Sequence, residues 1–288
     1  MVDLGFVGPN RPAQDYRFLK VTDGDTPAIE MSIRMVSIDT PESEYGGSPP
    51  TAQATLERAK ARLQDSAYDA LPQDLRDYLI ARITPDAAQR HLTAGKLAAE
   101  AHKTMVTTRL ARPDGSQRKM AVIATGELVE KNGRLLAYTA PWFSRTPSDP
   151  LPPRDHPDRR TFNLDMVALG WAATFIIYPS IPRTADLNLL LEEAEQAWQQ
   201  QRGAWAQFGP DLLLGYEYRT CIKLGTRHLD DPAETIASAF QRVCVDLRTL
   251  TEVGLYGYHQ VPPAQRLWIW ATDLEQARKD LSLPEPTL

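Results

Sequence analysis

Cysteine is nearly absent from this chain: Cys221 and Cys244 are the only two in 288 residues. Two thiols can close one bridge but cannot build a disulfide framework, so the core has to hold the fold. No run of eighteen apolar residues occurs, which excludes an ordinary membrane-crossing helix. The first residues, MVDLGFVGPNRPAQDY, lack a basic segment followed by an apolar one and are not a signal peptide as written. The expected location is therefore cytoplasmic, or outside the cell if the chain is a processed form. Excess basic charge is missing too. The formal net charge is −5 and no segment is a basic tail, so any grip on a polyanion has to be local. Zinc spacings of the CxxC or HxxxH type are also missing; Cys221, His228, Cys244 and His259 read as isolated residues. No internal repeat is present.

What is present is a 42% hydrophobic chain, enough for one or two domains. Residues 17–43 alternate like strands, with DGDT (23–26) as a turn between two β-like runs. The patch YGGSPP (45–50) breaks the pattern. Residues 51–83 then read as helical, with Leu75, Tyr78, Leu79 and Ile83 on one face. Thr84-Pro85 predicts the start of a new helix, and TAGKLAAEAHKTMVTTRL (93–110) continues in helical register. Residues 118–139 read as a hairpin turning at KNGR. Further helices are expected over 163–170 and 186–202. Beyond Gly209-Pro210 the chain changes character, and LDDPAETIASAF carries an N-cap signal in Asp231, Pro232 and Glu234.

Residues 32–43, SIRMVSIDTPES, concentrate charge at the end of a strand. Arg34 stands five residues before Asp39-Thr40-Pro41-Glu42, and Asp23 and Asp25 flank a glycine just upstream. This is either a hairpin with solvated charges or a site for a hard cation and a phosphate. Asp25, Asp39 and the Thr40 carbonyl could supply three oxygen ligands. Arg34 and Asp39 differ by an odd number, so an ideal strand would point them to opposite faces. They share a cleft only if the strand bulges or ends near Ile38. Phosphodiester hydrolysis needs fixed positive charge around the transition state, for which Arg34 and Arg134 are candidates. Glu42 could act as general base. Each motif alone has a plain reading: DGD as a β-turn, Arg34 as a solvated strand residue, KNGR as a hairpin turn. Their combination and order are specific.

DGDT, R-M-V-S-I-D-T-P-E and N-G-R-L-L-A-Y together resemble the staphylococcal (micrococcal) nuclease family, the thermonucleases. The stretches GKLAAEAHKTMV (95–106), NLDMVALGW (163–171) and EEAEQAWQQQRGAW (192–205) are similar to its three helices in order. The resemblance covers about 17–43 and 94–205. It implies an α+β fold, a five-stranded OB-type β-barrel with three flanking helices, spanning 1–207. To this the chain adds a helical insertion at about 44–93 and a C-terminal extension over 208–288. The implied activity is calcium-dependent cleavage of DNA, RNA or both, leaving 3′-phosphates. Asp25, Asp39 and Thr40 would hold Ca2+, Glu42 would be the base, and Arg34 and Arg134 would hold the phosphate. Lys131 and Tyr178 would contact the nucleotide. Two positions depart from the family pattern: Asn132 replaces a tyrosine, and Ile176 replaces one of two pocket tyrosines. Weaker base stacking is expected from this. The insertion follows Glu42 directly and is expected near the cleft, restricting which strands enter. The alternative is a non-catalytic nucleic-acid-binding or scaffold module on the same fold.

Other features have bland readings. Tyr216, Tyr218, Tyr256, Tyr258, Trp268 and Trp270 form i, i+2 pairs expected of strand residues on a small core. Arg145, Arg154, Arg159 and Arg160 interleave with Asp149, Asp155 and Asp158, as in a solvated loop.

Overall fold

The computed structural model describes residues 16–112, 114–130, 132–147, 149–228 and 231–284. The first alternating run folds as the antiparallel hairpin β1 (Arg17–Val21) and β2 (Pro27–Glu30) around the DGDT turn. Two short strands follow, β3 (Ile33–Met35) and β4 (Ser37–Asp39). Where β4 begins the chain kinks, with Ser37 in the left-handed region at φ 63°. Three helices come next: α1 (Pro49–Gln64), α2 (Gln73–Arg82) and α3 (Ala87–Leu110). The last starts two residues later than Thr84-Pro85 suggests. The Thr84 hydroxyl bonds the Asp86 carboxylate at 2.7 Å. Gln53 of α1 accepts the Ala88 N–H at 3.0 Å, satisfying one of the orphan donors at the helix start.

The expected hairpin is formed by β5 (Met120–Val129) and β6 (Leu135–Pro141). Its turn uses Gly133 at φ 79°; Lys131, in the same turn, lies outside the described residues. Then follow α4 (Phe162–Ala168), β7 (Ala173–Ile177), α5 (Thr184–Gln199) and α6 (Ala204–Phe208). The extension contains α7 (Gly215–Leu224), α8 (Pro232–Ala239), β8 (Arg242–Asp246), β9 (Thr251–Gly254), β10 (Arg266–Trp270) and α9 (Leu274–Leu281). As the Asp-Pro signal implies, the Asp231 side chain caps α8 by accepting the Ala233 N–H at 2.9 Å.

The mixed α+β character is as expected. A closed five-stranded barrel is not seen among the described residues. The strands form three separate sheets: β1-β2, β3-β6-β5 and β4-β7-β10-β8-β9. The kink at Ser37 explains part of this, because it hands one line of chain from β6 to β7. The extension explains the rest. Its β10 takes the other edge of β7 in parallel, pairing Leu267 with Ile176 and Trp268 with Ile177. Three of the five strands in that sheet therefore come from beyond residue 207, and the sheet crosses the expected domain boundary.

The helical insertion shares its core with the extension. Leu56 and Leu63 of α1 are buried with Leu75, Leu79, Tyr218 and Leu224 in one cluster. Truncating one such leucine to alanine costs about 2–5 kcal/mol. Polar contacts lock the same pair of helices: Arg62 of α1 donates to the carbonyls of Leu224 and Thr226 at 2.7 and 3.0 Å. These carbonyls at the α7 carboxyl end favour a cation. Among the described residues no helix is long and apolar enough to cross a membrane.

Candidate active site

The kink that divides β3 from β4 brings Arg34 and Asp39 onto one side of the chain. Arg34 Nη2 donates to Asp39 Oδ1 at 2.8 Å. Neighbouring side chains hold the kink. Ser37 and Tyr138 share a hydroxyl hydrogen bond of 2.6 Å, and Asn163 of α4 donates to the Val36 carbonyl at 2.9 Å. Asn163 also accepts the Thr139 N–H at 3.1 Å, tying the kink to β6.

Asp39 is 2% exposed, and a second arginine completes its surroundings. Arg219 of α7 donates from Nη1 to Oδ1 at 3.1 Å and from Nη2 to Oδ2 at 2.9 Å. The same guanidinium donates to Glu42 Oε1. Burial alone would raise the Asp39 carboxyl, but Arg219 and Arg34 outweigh it and hold the group below the usual carboxylate range. Burial lowers Arg219 in turn, yet Asp39 and Glu42 together push it up. Sequence reasoning missed Arg219. It stands alone in GYEYRTC, and nothing local marks it as a partner of a carboxylate so distant in the chain.

Tyr216 and Tyr218, expected on a strand, lie on α7. Glu217 drives that outcome: its buried carboxylate accepts the Leu214 N–H at 3.0 Å and closes the helix start. Tyr216 stacks on Phe175 and Tyr218 on His91, with ring centroids 5.3 and 3.8 Å apart. At the first turn of α7, Gly215 lies directly against Asp39 Oδ2 and the Thr40 carbonyl. A Cβ there would sit 2.5 Å from the Thr40 oxygen.

Glu42 is positioned by its backbone as well as by Arg219. Its N–H donates to His91 Nε2 at 2.9 Å, so the proton of the neutral ring sits on Nδ1 and is donated to the Leu213 carbonyl at 3.0 Å. Burial pushes His91 down to about 3, keeping the ring neutral. Gly95 of α3 packs on the Glu42 carbonyl, and a Cβ there would also lie 2.7 Å from the Ser43 nitrogen.

Arg34, Glu42 and Arg219 border a cavity of about 980 Å³ whose charged lining, among the described residues, is completed by Arg134, Lys223, Arg242 and Glu130; Asp39 and Thr40 lie behind that lining. Among the described residues five cations face two carboxylates there, in a chain whose net charge is −5. Arg134 reaches the lining while its Nε donates to Glu130 Oε1 at 2.8 Å. Tyr178 also lines the cavity, its hydroxyl bonded to Asp280 of α9 at 2.5 Å. Ile176 points instead into the core and is fully buried. From the insertion only Tyr45 reaches the lining; its helices act on the cleft by supporting α7.

Asp25 is not brought to this cavity. It lies on the exposed DGDT turn and accepts a hydrogen bond from Thr26 at 3.0 Å. Among the described residues no three His, Cys, Asp or Glu side chains converge on a metal position. The donors expected for calcium therefore do not fit the ion as arranged. Both Asp39 oxygens hold guanidinium groups, and Gly215 covers the Thr40 carbonyl.

The family model described as staphylococcal nuclease homologue matches residues 32–207. The chain belongs to this family. None of the curated proteins compared matches it. Membership places this staphylococcal nuclease homologue among nucleases and nucleic-acid-binding modules. The matched span holds Arg34, Asp39, Thr40, Glu42, Arg134 and Tyr178, whereas Arg219, Lys223 and Arg242 lie beyond it. Three of the five cations lining this homologue's cavity among the described residues thus come from outside the family region. The two cysteines are both free and buried, and burial raises each thiol, so neither bears on the site.

Proposed function

We propose that this protein hydrolyses phosphodiester bonds of DNA, RNA or both within the arginine-lined cavity. The observation that carries the reading is the meeting of Glu42 with Arg34, Arg134 and Arg219 around one space large enough for a nucleotide. In this reading Arg34 and Arg134 hold the non-bridging phosphate oxygens, where a planar two-point grip stabilises charge that grows in the transition state. Glu42 takes the proton of an attacking water as the water oxygen bonds to phosphorus. The P–O5′ bond breaks, the leaving oxygen is protonated from solvent, and a 3′-phosphate remains. Arg219 orients Glu42 and places a fixed positive charge beside Asp39. No step is routed through calcium, because the donor oxygens face guanidinium groups and the α7 backbone.

A second reading is favoured by one specific observation: both carboxylates of the site are already ion-paired to Arg219. Carboxylates held in this way, within a lining that stays cationic, suit a module that binds nucleic acid without cutting it. One experiment separates the two. Purified protein is incubated with single- and double-stranded DNA and RNA, with calcium or with a chelator. Cleavage that falls about a hundredfold or more in Glu42→Gln and in Arg134→Ala, with far-UV circular dichroism intact, supports hydrolysis. Binding without cleavage of any substrate would establish the module instead.

A further inference from the structure

Arg242 has no role in the mechanism above, yet its surroundings are those of a receptor awaiting an anion. It opens β8, directly opposite Trp270 of β10. Its guanidinium carbon lies 3.8 Å from the centre of the Trp270 ring and 5.4 Å from that of Phe175. A guanidinium held over an aromatic face keeps its charge while the ring shields one side from water, which leaves its Nη groups to meet a phosphate. Nε is sealed from solvent and has no hydrogen-bond partner. No carboxylate forms an ion pair with Arg242 among the described residues. Asp39 attracts it from a distance, but that carboxylate is already shared by Arg34 and Arg219.

The remaining neighbours make matters worse for the free protein. Burial, then Arg219 and Arg34, act against the Arg242 charge and push its pKa down to about 10, which still leaves it cationic at neutral pH. Arg242 is half-buried, and a partly desolvated cation with no ion-pair partner, beside two others, is costly unless an anion completes it. The cavity is where that anion can enter, and its lining carries three more cations than carboxylates.

We propose that Arg242 is a phosphate receptor of the cleft, so that the extension binds a phosphate of the nucleic-acid strand whose bond is processed at Glu42. The nucleic-acid part of this statement rests on the function proposed above; the anion site rests on Arg242 alone. The extension is then part of the substrate site, and residues 32–207 by themselves lack one of its contacts.

The test uses the full chain and two probes: inorganic phosphate, and a single-stranded decanucleotide with phosphorothioate linkages that resist cleavage. Each is titrated calorimetrically into wild type, Arg242→Gln and Arg242→Lys over a range of salt. Arg242→Gln should weaken the oligonucleotide by roughly ten- to a hundredfold. It should also reduce the salt slope of log K by about one. Arg242→Lys should recover only part of the affinity, for want of the two-point grip. The melting temperature of free Arg242→Gln should be unchanged or raised, because repulsion from Arg219 and Arg34 is relieved; a purely structural arginine would lower it. Equal affinity of wild type and Arg242→Gln for both probes overturns the proposal, even where ordinary linkages are cleaved normally. Failure of wild type to bind either probe overturns it too. Oligonucleotide binding that depends on Arg242, without cleavage of ordinary linkages, supports the receptor and overturns only the hydrolytic function.

Discussion

Arg219 and Asp39, 180 residues apart in the chain, meet through two hydrogen bonds of 3.1 and 2.9 Å. A fork on a carboxylate is the strongest grip an arginine makes, and here the carboxylate is almost wholly buried. Arg219→Ala leaves Asp39 with Arg34 as its one remaining direct partner. Because Arg34 still compensates the Asp39 charge, the expected loss is about 1.5–3 kcal/mol of unfolding free energy, the usual worth of hydrogen bonds to a charged group. Arg219→Lys should recover less than half, because an ammonium cannot bond both oxygens in one plane. Urea denaturation of the three proteins measures this. A loss below about 1 kcal/mol in Arg219→Ala would show that the pair does not tie the extension to β4.

His91 makes the fold sensitive to acid in a defined window. The neutral ring accepts the Glu42 N–H, an arrangement protonation would break, and burial holds its pKa near 3 against 6.5 when unfolded. Between these values the unfolded chain binds more protons than the folded one, so stability rises with pH. It is complete above about 6.5 and falls as the solution is acidified toward 3, by up to about 1.4 kcal/mol per pH unit. Burial raises the carboxyls of Glu217 and Asp165, which titrate equally in wild type and in a His91 variant, so the comparison between about pH 6.5 and 4.5 isolates the histidine. Denaturation curves should steepen in their pH dependence for wild type over that range, and His91→Gln should remove most of the slope. Parallel slopes for the two proteins would place the acid sensitivity elsewhere.

How much of this could be read from the letters varies with the range of the interactions. Local signals transferred well: the DGDT turn, the Asp231 cap, the hairpin turning at Gly133 and the need for a break near Ile38 all depend on neighbours in the chain. The break falls at Ser37, whose positive φ no propensity rule assigns to serine in advance. What did not show was long-range. Arg219 looks unremarkable within GYEYRTC, and its importance arises when α7 packs its first turn against Thr40. The tyrosines at 216 and 218 alternate like strand residues, but the Glu217 carboxylate, buried and bonded to the Leu214 N–H, fixes a helix. The barrel expectation failed to appear for a similar reason. The edge of β7 is occupied by β10, a strand that resemblance within 17–205 could not supply.

Calcium should leave the protein's stability unchanged. An ion bound at a hundred times its dissociation constant would add about 2.7 kcal/mol, several degrees of melting temperature for a chain of this size. With the Asp39 oxygens forked by Arg219 and the Thr40 carbonyl covered by Gly215, neither of these expected donors is free to supply that gain. Thermal melts with millimolar calcium and with chelator should agree to within about 1 °C. A rise of several degrees that disappears in Asp39→Asn would restore the metal to Asp39 and require α7 to move aside.

Gly95 provides a probe of Glu42 that leaves every charged group in place. On α3 it faces the Glu42 carbonyl, and an added Cβ would collide with the backbone of Glu42 and Ser43 rather than with a side chain that could swing away. Gly95→Ala must therefore push that loop outward. It should also strain the bond from the Glu42 N–H to His91. Overpacking of this kind costs about 1–3 kcal/mol of stability, offset in part by the better helix propensity of alanine. The catalytic effect should be larger. If Glu42 is the general base, as proposed, displacing it by about an ångström should lower turnover roughly a hundredfold, while Arg34 and Arg134 would still receive the phosphate. Steady-state kinetics below the melting transition should show kcat falling with KM nearly unchanged. A fall in affinity with kcat preserved would mean that the loop after β4 holds substrate instead of activating water.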